Sequence, residues 1–257
     1  MPETPATNPT ACLLVIGNEV LSGRTRDANI HFIAGKLSGI GMRLLEVRVI
    51  PDVPEVIVRT VNEARARFDH VLTTGGIGPT HDDITAECIS AAFGVPWVLH
   101  PEAYAMMSAR YAPGEFNAAR QRMATMPAGA TLIANAASSA PGFTIGNVHV
   151  MAGVPRIMQA MMDTLLPTLP HGATIHSRAV HATGLLEGLI AAGLSAIQDR
   201  HPGIDIGSYP YDRPDTRGVS IVAKGTNLVS IEGAIDEVAG LMRGLKLTPV
   251  MGEPPAA

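Results

Sequence analysis

The stretch that decides the fold reads Val71-Leu-Thr-Thr-Gly-Gly-Ile-Gly-Pro-Thr-His-Asp-Asp-Ile-Thr85. Its first four residues form an apolar run typical of a buried strand, and residues 84–93 predict a helix that Gly94 ends. The glycines between them permit positive φ and a close approach of the backbone. Successive N–H groups can then line a concavity for an anion, and the helix presents its positive end to the same place. This order of elements predicts a site for a phosphate or diphosphate group.

The spacing of these glycines excludes two familiar phosphate-binding loops. No Gly-Lys-Ser/Thr follows, so the loop is not a Walker A loop, and His81 stands where the dinucleotide-binding fingerprint has its third glycine. Thr73, Thr74 and Thr80 can add hydroxyl donors. The alternative is a tight strand-to-helix turn that binds nothing. The length of Thr-Thr-Gly-Gly-x-Gly-Pro-Thr favours binding.

Acidic side chains follow the first three predicted strands: Glu19, Asp52 and Asp83. Because ligands of open α/β sheets bind outside the carboxyl ends of the strands, we expect these carboxylates to converge on a metal and acid–base cluster. Adjacent carboxylates repel a phosphate unless a cation such as Mg²⁺ intervenes. The alternative is helix capping, which we favour for Asp82. Asp52 also has the pattern of a cap, since Val53-Pro54-Glu55 follows it.

The remaining pattern predicts a two-domain α/β chain. Residues 1–10 read as a flexible tail. Strands and helices alternate over residues 11–170, which predicts a mostly parallel sheet with helices on both faces. Gly146-Asn147, between two apolar runs, predicts a two-residue hairpin. Residues 174–250 predict a small α+β domain with the order β-α-β-β-α.

Composition excludes several classes of protein. The chain has 19 Lys and Arg against 23 Asp and Glu, so no basic excess is present for a nucleic acid. Cys12 and Cys88 make no disulfide framework or zinc set, and we expect both in the core. No signal peptide is recognisable, and prolines and asparagines break the uncharged run over residues 123–154, so no membrane span is expected. The expectation is a soluble cytoplasmic protein.

At these residues the sequence resembles the molybdopterin-binding (MoCF) domain family, in the form found at the N-terminus of competence/damage-inducible protein A. The resemblance covers about residues 11–170. Its motifs are Gly17-Asn-Glu-Val-Leu-Ser-Gly23, Asp27-x-Asn29, Asp52, Thr73-Thr-Gly-Gly-Ile-Gly-Pro-Thr80 with Asp83, Asn117, Pro127-Ala-Gly-Ala130, Ala140-Pro-Gly-Phe143 and Ala152-Gly-Val-Pro155.

The resemblance implies a three-layer α/β/α sandwich and a small phosphorylated ligand, either a nucleotide diphosphate or molybdopterin. In the competence-type group the matching half is associated with metal-dependent cleavage of ADP-ribose-type diphosphates. In the molybdenum group, related domains bind or adenylylate molybdopterin. We therefore expect a Mg²⁺-dependent pyrophosphatase acting on ADP-ribose or FAD. The alternative is a molybdopterin-binding protein of cofactor biosynthesis that does not turn its ligand over.

Asp52 and Asp83 are the expected catalytic and metal-binding residues, because family members that act on molybdopterin carry an Asp at each position. The expected ligand-binding residues lie in three loops: Gly17, Glu19, Ser22, Thr73, Thr74, Gly75, Gly76, Gly78, Pro79, Thr80, Gly153 and Pro155. Two departures from the family, Ala152 for Pro and Ser138-Ser139 for Val-Gly, leave the substrate open. The sequence stops before a nicotinamide-nucleotide amidase domain, so deamidation is not expected. Family precedent implies a homo-oligomer.

Overall fold

The computed structural model describes residues 8–112, 114–214 and 216–254. The start of the first strand differs from the sequence prediction, which assigns residues 1–10 to a flexible tail. Residues 1–7 lie outside the described part of the chain. Asn8 is buried and Thr10 begins the first strand, because the Asp69 carboxylate accepts hydrogen bonds from the Thr10 N–H at 2.8 Å and its hydroxyl at 2.6 Å. The tail prediction is therefore wrong for residues 8–10.

The chain divides into two compact units, Met1–Gly172 and Ala173–Ala257. The strands of the first unit are β1 (Thr10–Ile16), β2 (Arg43–Ile50), β3 (His70–Thr74), β4 (Trp97–Leu99), β5 (Thr125–Pro127), β6 (Thr131–Ile133), β7 (Gly142–Ile145) and β8 (Val148–Met151). Its helices are α1 (Asn18–Leu21), α2 (Asn29–Gly39), α3 (Pro54–Arg67), α4 (Thr85–Phe93), α5 (Pro101–Ser108), α6 (Ala118–Arg122) and α7 (Pro155–Leu165), followed by a 3₁₀ turn over Leu166–Thr168.

The main sheet has the strand order β2-β1-β3-β8-β7-β6. The first four strands are parallel, and β7 and β6 continue the sheet in antiparallel pairing. The predicted hairpin joins β7 to β8, where Ile145 pairs with Val148 and Gly146 takes a φ of 54°. The mostly parallel sheet is confirmed.

Helices cover both faces of this sheet, so the first unit is a three-layer α/β/α sandwich. Alternate residues of β1 enter opposite cores, as the period of a strand requires. Cys12, Leu14 and Ile16 pack with side chains of α3 and α4. Ala11, Leu13 and Val15 pack with side chains of α2 and α7. A strand buried on both faces reads as a continuous apolar run, and residues 11–16 have that pattern.

One predicted helix is mostly absent. The sequence predicts a helix over residues 115–126, whereas the structure has the short helix α6 followed by strand β5. The Asn117 side chain caps α6 by accepting a hydrogen bond from the Arg120 N–H at 3.1 Å. The segment then turns to pair with β4, with Met126 opposite Val98. This ladder satisfies the backbone groups that a longer helix would have paired internally.

The second unit has the predicted order of elements with one addition. Its strands are β9 (His176–Thr183), β10 (Ile204–Asp212), β11 (Arg217–Gly225) and β12 (Val250–Met251), and its helices are α8 (Glu187–Arg200) and α9 (Leu228–Gly244). They form an antiparallel sheet of order β10-β11-β9-β12, with a core between sheet and helices. The short strand β12 is absent from the sequence prediction because two residues give no periodicity. In the described residues, no helix combines the length and the apolar character needed to cross a membrane.

Candidate functional site

The glycine loop, residues 75–83, connects β3 to α4 at the carboxyl end of the parallel strands. Gly75 and Gly76 have φ values of 104° and 67°, which side chains rarely adopt. A Cβ on Gly75 would lie 2.1 Å from the Ile16 carbonyl oxygen, and one on Gly76 would lie 2.2 Å from Thr85 Oγ1. Both positions therefore require glycine for conformation and for space.

Hydrogen bonds fix the two ends of this turn. The Gly75 N–H donates to the Met151 carbonyl at 3.1 Å, the Thr85 N–H donates to the Gly76 carbonyl at 2.9 Å, and the Thr85 hydroxyl donates to the Gly75 carbonyl at 3.0 Å. Among the described residues, no protein acceptor takes the N–H groups of Gly76, Ile77 or Gly78. Three consecutive N–H groups without a protein acceptor, in the loop that leads to helix α4, are donors that an anion can use.

Gly78 does not have the positive φ that the sequence suggests for it. Its lack of a side chain serves another purpose, because a Cβ there would lie 2.6 Å from Asp83 Oδ2. Gly78 thus makes room for the Asp83 carboxylate. That carboxylate accepts hydrogen bonds from the Thr80 N–H at 2.8 Å and from the Thr80 hydroxyl at 2.5 Å.

A first cavity, narrow and open to solvent, lies beside the start of the glycine loop. Four of the predicted ligand-binding residues line it: Glu19, Thr74, Gly153 and Pro155. The other lining residues are Val15, Ile16, Val20, Thr25, Arg26, Asp27, Ala28 and Asn29. The structure therefore brings the loops after β1, β3 and β8 together, as the rule for open α/β sheets predicts.

Asn29 is the lining residue that sequence reasoning missed as a ligand contact. It is buried, and its Nδ2 donates to the Gly153 carbonyl at 2.8 Å, which fixes the orientation of the amide. Asn29 Oδ1 is buried and has no hydrogen-bond partner, and the same holds for Thr74 Oγ1. The motif Asp27-x-Asn29 contained the signal, because a polar side chain at the start of α2 faces the same sheet edge as Thr74.

A second, narrow cavity that is open to solvent adjoins the glycine loop. Its lining residues are Ile77, Gly78, Asp83, Ala86, Trp97, Arg122, Met123, Thr125, Pro141 and Phe143. The Arg122 guanidinium lies 4.9 Å from the centre of the Trp97 ring. Its Nη2 makes only long contacts of 3.5 Å, to the Asp83 carbonyl and to Glu87, and its buried Nε has no partner. Arg122 thus offers an unused donor beside Asp83.

The predicted cluster of Glu19, Asp52 and Asp83 does not form. Glu19 lines the first cavity and Asp83 lines the second. Asp52 Oδ2 instead accepts a hydrogen bond from the Asn18 N–H at 2.8 Å. Within the part of the chain that the structure describes, no three His, Cys, Asp or Glu side chains are grouped closely enough to hold a metal ion. The prediction of a three-carboxylate metal cluster is therefore wrong.

Helix capping, which the sequence favoured for Asp82 and left as the alternative for Asp52, is not found for either acid. Helix α3 has Val53 at its N-cap and helix α4 has Ile84, and neither is capped by a side chain. Asp52 reaches across to the loop after β1 instead. Asp82 is exposed, and the nearby Thr80 side chain is the main cause that lowers the pKa of its carboxyl.

The other predicted site residues lie around the glycine loop without lining either cavity. The Thr73 hydroxyl is buried in β3 and unpartnered, while Pro79 and Thr80 are exposed on the far part of the loop. The Ser22 hydroxyl donates to the Glu19 carbonyl at 3.3 Å. A Cβ on Gly17 would lie 2.6 Å from Glu19 Oε1, so Gly17 lets the Glu19 side chain fold back over the backbone.

The two cysteines belong to the core. Burial raises the pKa of the Cys12 thiol to about 11, and it does the same for Cys88. A thiol with such a pKa holds its proton at neutral pH and is a poor nucleophile. Neither residue lines the cavities described above.

The fold and the glycine loop agree with a match to known families. The model of the probable molybdopterin binding domain matches residues 12–171, and the model of the FAD synthase middle domain matches residues 174–250. The chain belongs to the molybdopterin-binding (MoCF) domain family, in its CinA-like form.

Individual relatives cover most of the chain. A protein of Pyrobaculum calidifontis is 34% identical over 242 residues, which are 89% of this chain and 92% of that protein. The CinA-like protein of Gemmatimonas aurantiaca is 31% identical over 90% of this chain, and the match spans 57% of that protein. The crystal structure of the protein CinA from Thermoplasma acidophilum superposes with a TM-score of 0.60 at 29% identity, over 63% of this chain and 99% of that one.

Proposed function

We propose that the chain binds a phosphorylated small molecule at the glycine loop and hydrolyses its diphosphate, with ADP-ribose or FAD as the type of substrate. The observation that carries the proposal is the row of unpaired N–H groups of Gly76, Ile77 and Gly78, set before the N-terminus of α4. Phosphate oxygens are acceptors, and such a row of donors is what they bind.

In the proposed reaction the chain's residues bind and orient the diphosphate and accept a proton. Water attacks one phosphorus atom, so a new P–O bond forms while the bridging P–O bond breaks. The leaving phosphate monoester takes the bond's electron pair. Asp83 accepts the proton of the attacking water, and Thr80 holds its carboxylate in place through Oδ2. Asp52 is the second acid at this sheet edge, and its bond to Asn18 holds the loop after β1 against the loop after β2.

A divalent cation such as Mg²⁺ fits this site only when the diphosphate ligand is bound and supplies further oxygen atoms. Carboxylate oxygens have the right chemistry, but the described residues offer no three-ligand group. Mg²⁺ commonly binds through one or two carboxylates together with substrate phosphates and water. Asp83, which lines the second cavity, would therefore hold the cation once a diphosphate is present. The chemistry it would supply is neutralisation of phosphate charge.

A second candidate is binding of molybdopterin without turnover. One observation favours it: the carboxylates of both Asp52 and Asp83 already accept hydrogen bonds from backbone N–H groups, which is what acids do when they only hold loops. In this case the glycine loop would bind the terminal phosphate of the pterin, and neither acid would take part in chemistry.

Incubation of the purified chain with ADP-ribose or FAD, in Mg²⁺ or Co²⁺, tests the proposal. Chromatography should show release of a nucleoside monophosphate, and Asp83→Asn should abolish it. Tight pterin binding without product, with binding kept or weakened in Asp83→Asn, would select the second candidate. No product and no ligand binding in either variant would refute both.

A further inference from the structure

Strand β2 forms one edge of the main sheet, and in the described part of the chain it pairs only with β1. After an extra residue near the start of the strand, the pairing with β1 is regular from Glu46 to Ile50. The Ile50 carbonyl accepts from the Gly17 N–H on the β1 side, so by alternation the N–H and C=O groups of Val47 and Val49 point away from β1. Outward groups of this kind can pair with a further strand.

The edge strand β10 of the second unit provides a contrast, because it is closed to such pairing at several points. The Gln198 side chain donates to the Ile204 carbonyl at 2.6 Å and accepts from the Ile206 N–H at 2.9 Å. Pro210 in the same strand has no N–H to offer. Strand β2 contains no proline, so every residue along its edge keeps its backbone donor.

A row of alternating charges runs along the β2 edge in the order Glu63, Arg48, Glu46, Arg67. The Arg48 guanidinium lies 2.5 Å from the Glu46 carboxylate and 2.8 Å from that of Glu63, and Arg67 lies 3.0 Å from Glu46. A two-fold axis at Val47, the residue between Arg48 and Glu46, reverses the row in the second copy. Each acid of one copy then faces a base of the other, so the edge is complementary to itself in charge.

This charge pattern selects one register for two antiparallel β2 strands. With Val47 opposite Val47 of the second copy, Glu46 faces Arg48 of the second copy, and Leu45 faces Val49. Moving the axis by one residue, to Arg48 or to Glu46, places that residue opposite itself, and like charges directly opposite one another are destabilising. In the favoured register the outward groups of Val47 exchange two backbone hydrogen bonds with the same groups of the second copy.

We propose that the β2 edge is the interaction surface for a second copy of this chain, with the two β2 strands paired antiparallel about Val47 and the two main sheets joined edge to edge. The apolar side chains of Leu45 and Val47, which are 51% and 38% exposed, are covered in this pairing. This surface lies outside the glycine loop and both cavities, so the inference is independent of the proposed function.

Sedimentation of the full chain over a range of concentrations tests the pairing. The wild type should show a monomer–dimer equilibrium, and Val47→Lys should raise its dissociation constant at least about tenfold, because two ammonium groups then face each other. Val98→Lys, at a 42% exposed position on β4, is the matched control and should dimerise as the wild type does. A wild type that stays monomeric, or a dimer that Val47→Lys leaves unchanged, would overturn the inference.

Cross-linking tests the register without depending on the lysine variant. A short bismaleimide should join two copies of Val47→Cys, whereas the native Cys12 and Cys88 are buried. Val49→Cys is the control, because in the proposed register its two thiols are offset by about 13 Å along the strands. Cross-linking of Val47→Cys with none of Val49→Cys is the expected result. Cross-linking of both, of Val49→Cys alone or of neither would contradict the proposed pairing.

Discussion

The carboxylate of Asp52 accepts a hydrogen bond from the backbone N–H of Asn18 at 2.8 Å, across a separation of 34 residues. This bond joins the loops that follow the two neighbouring parallel strands β1 and β2. A second contact, from the Gly17 N–H to the Ile50 carbonyl at 3.1 Å, joins the same two loops. Asp52, expected from the sequence to be a catalytic and metal-binding residue with a helix cap as the alternative, holds these two loops together in the structure.

Substitution of Asp52 separates its structural role from its chemical one. Asp52→Asn keeps an acceptor for the Asn18 N–H, so we expect the free energy of unfolding to fall by less than about 1 kcal/mol. Asp52→Ala removes the acceptor and should cost about 1–2 kcal/mol. Urea unfolding gives both values. If Asp52 also takes part in hydrolysis, Asp52→Asn should lose turnover despite its intact fold; full activity in that variant would restrict Asp52 to the structural role.

Replacement of Gly75 should damage both the fold and the site. Gly75→Ala places a Cβ 2.1 Å from the Ile16 carbonyl oxygen at a φ of 104°. We expect it to lower the free energy of unfolding by more than about 2 kcal/mol and to abolish phosphate binding. The matched control is Gly94→Ala, where φ is 65° and a Cβ would meet nothing within 4 Å. In that variant the free energy of unfolding should fall by about 1 kcal/mol, from backbone strain alone, and phosphate binding should be unchanged. Equal effects of the two changes would show that the close approach to Ile16 is unimportant.

Arg122 should contribute to ligand binding through its unused donor in the second cavity. Arg122→Gln removes the charge but keeps a polar side chain, and we expect ADP-ribose to bind about tenfold more weakly, as for loss of a charged hydrogen bond. Arg120→Gln is the control on the same helix, because Arg120 bonds to the Glu115 carbonyl and lines neither cavity. Calorimetry measures both. Unchanged affinity in Arg122→Gln would limit Arg122 to packing against Trp97.

A buried histidine pair should make the stability of the first unit depend on pH. Burial, followed by the charge of His70, lowers the pKa of His149 to about 4, and burial also lowers the pKa of His70. His149 bonds to His70 and to the Thr144 hydroxyl, each at 3.0 Å. The unfolded chain gains protons near the ordinary pKa of 6.5, whereas folded His149 does not until about 4. Stability is therefore complete above pH 6.5 and is lost as the pH falls towards 4.

The expected loss between pH 7.5 and pH 5 is about 2 kcal/mol from His149, measured by urea unfolding at the two pH values. His149→Gln should flatten this dependence whatever its effect on overall stability. His31→Gln, at an exposed position on α2, should leave the dependence unchanged. An equally steep loss in His149→Gln would place the pH dependence elsewhere in the chain.

The sequence predicted those strands, turns and helix ends whose conformation depends on a few neighbouring residues. The apolar run of β1, the hairpin at Gly146-Asn147 and the end of α4 at Gly94 each follow from a few neighbouring residues, and each is present. β5 did not follow from local pattern, because its conformation is set by pairing with β4, where Val98 lies opposite Met126, and by the Trp97 indole N–H, which donates to the Thr125 carbonyl. Tertiary pairing of this kind overrides propensity.

In the candidate site too, features set by neighbouring residues could be predicted from the sequence, and features set by distant residues could not. The glycine loop could be predicted from the sequence because its conformation depends on glycines that are adjacent in the chain. The roles of the acids were not, because the partner of Asp52 is an N–H group in a different loop. The donor of Arg122 was missed for a similar reason: it lies on the short helix α6, far along the chain from the glycine loop, and only the folded chain brings it beside Asp83.

The measurement that tests the central claim most directly is an NMR titration of ¹⁵N-labelled protein with ADP-ribose and, separately, with inorganic pyrophosphate. The account predicts that the amide signals of Gly76, Ile77 and Gly78 shift saturably with both ligands, and that Gly75→Ala abolishes the shifts. Amide signals in the loop that stay unchanged up to millimolar ligand, while other regions respond or nothing does, would contradict it.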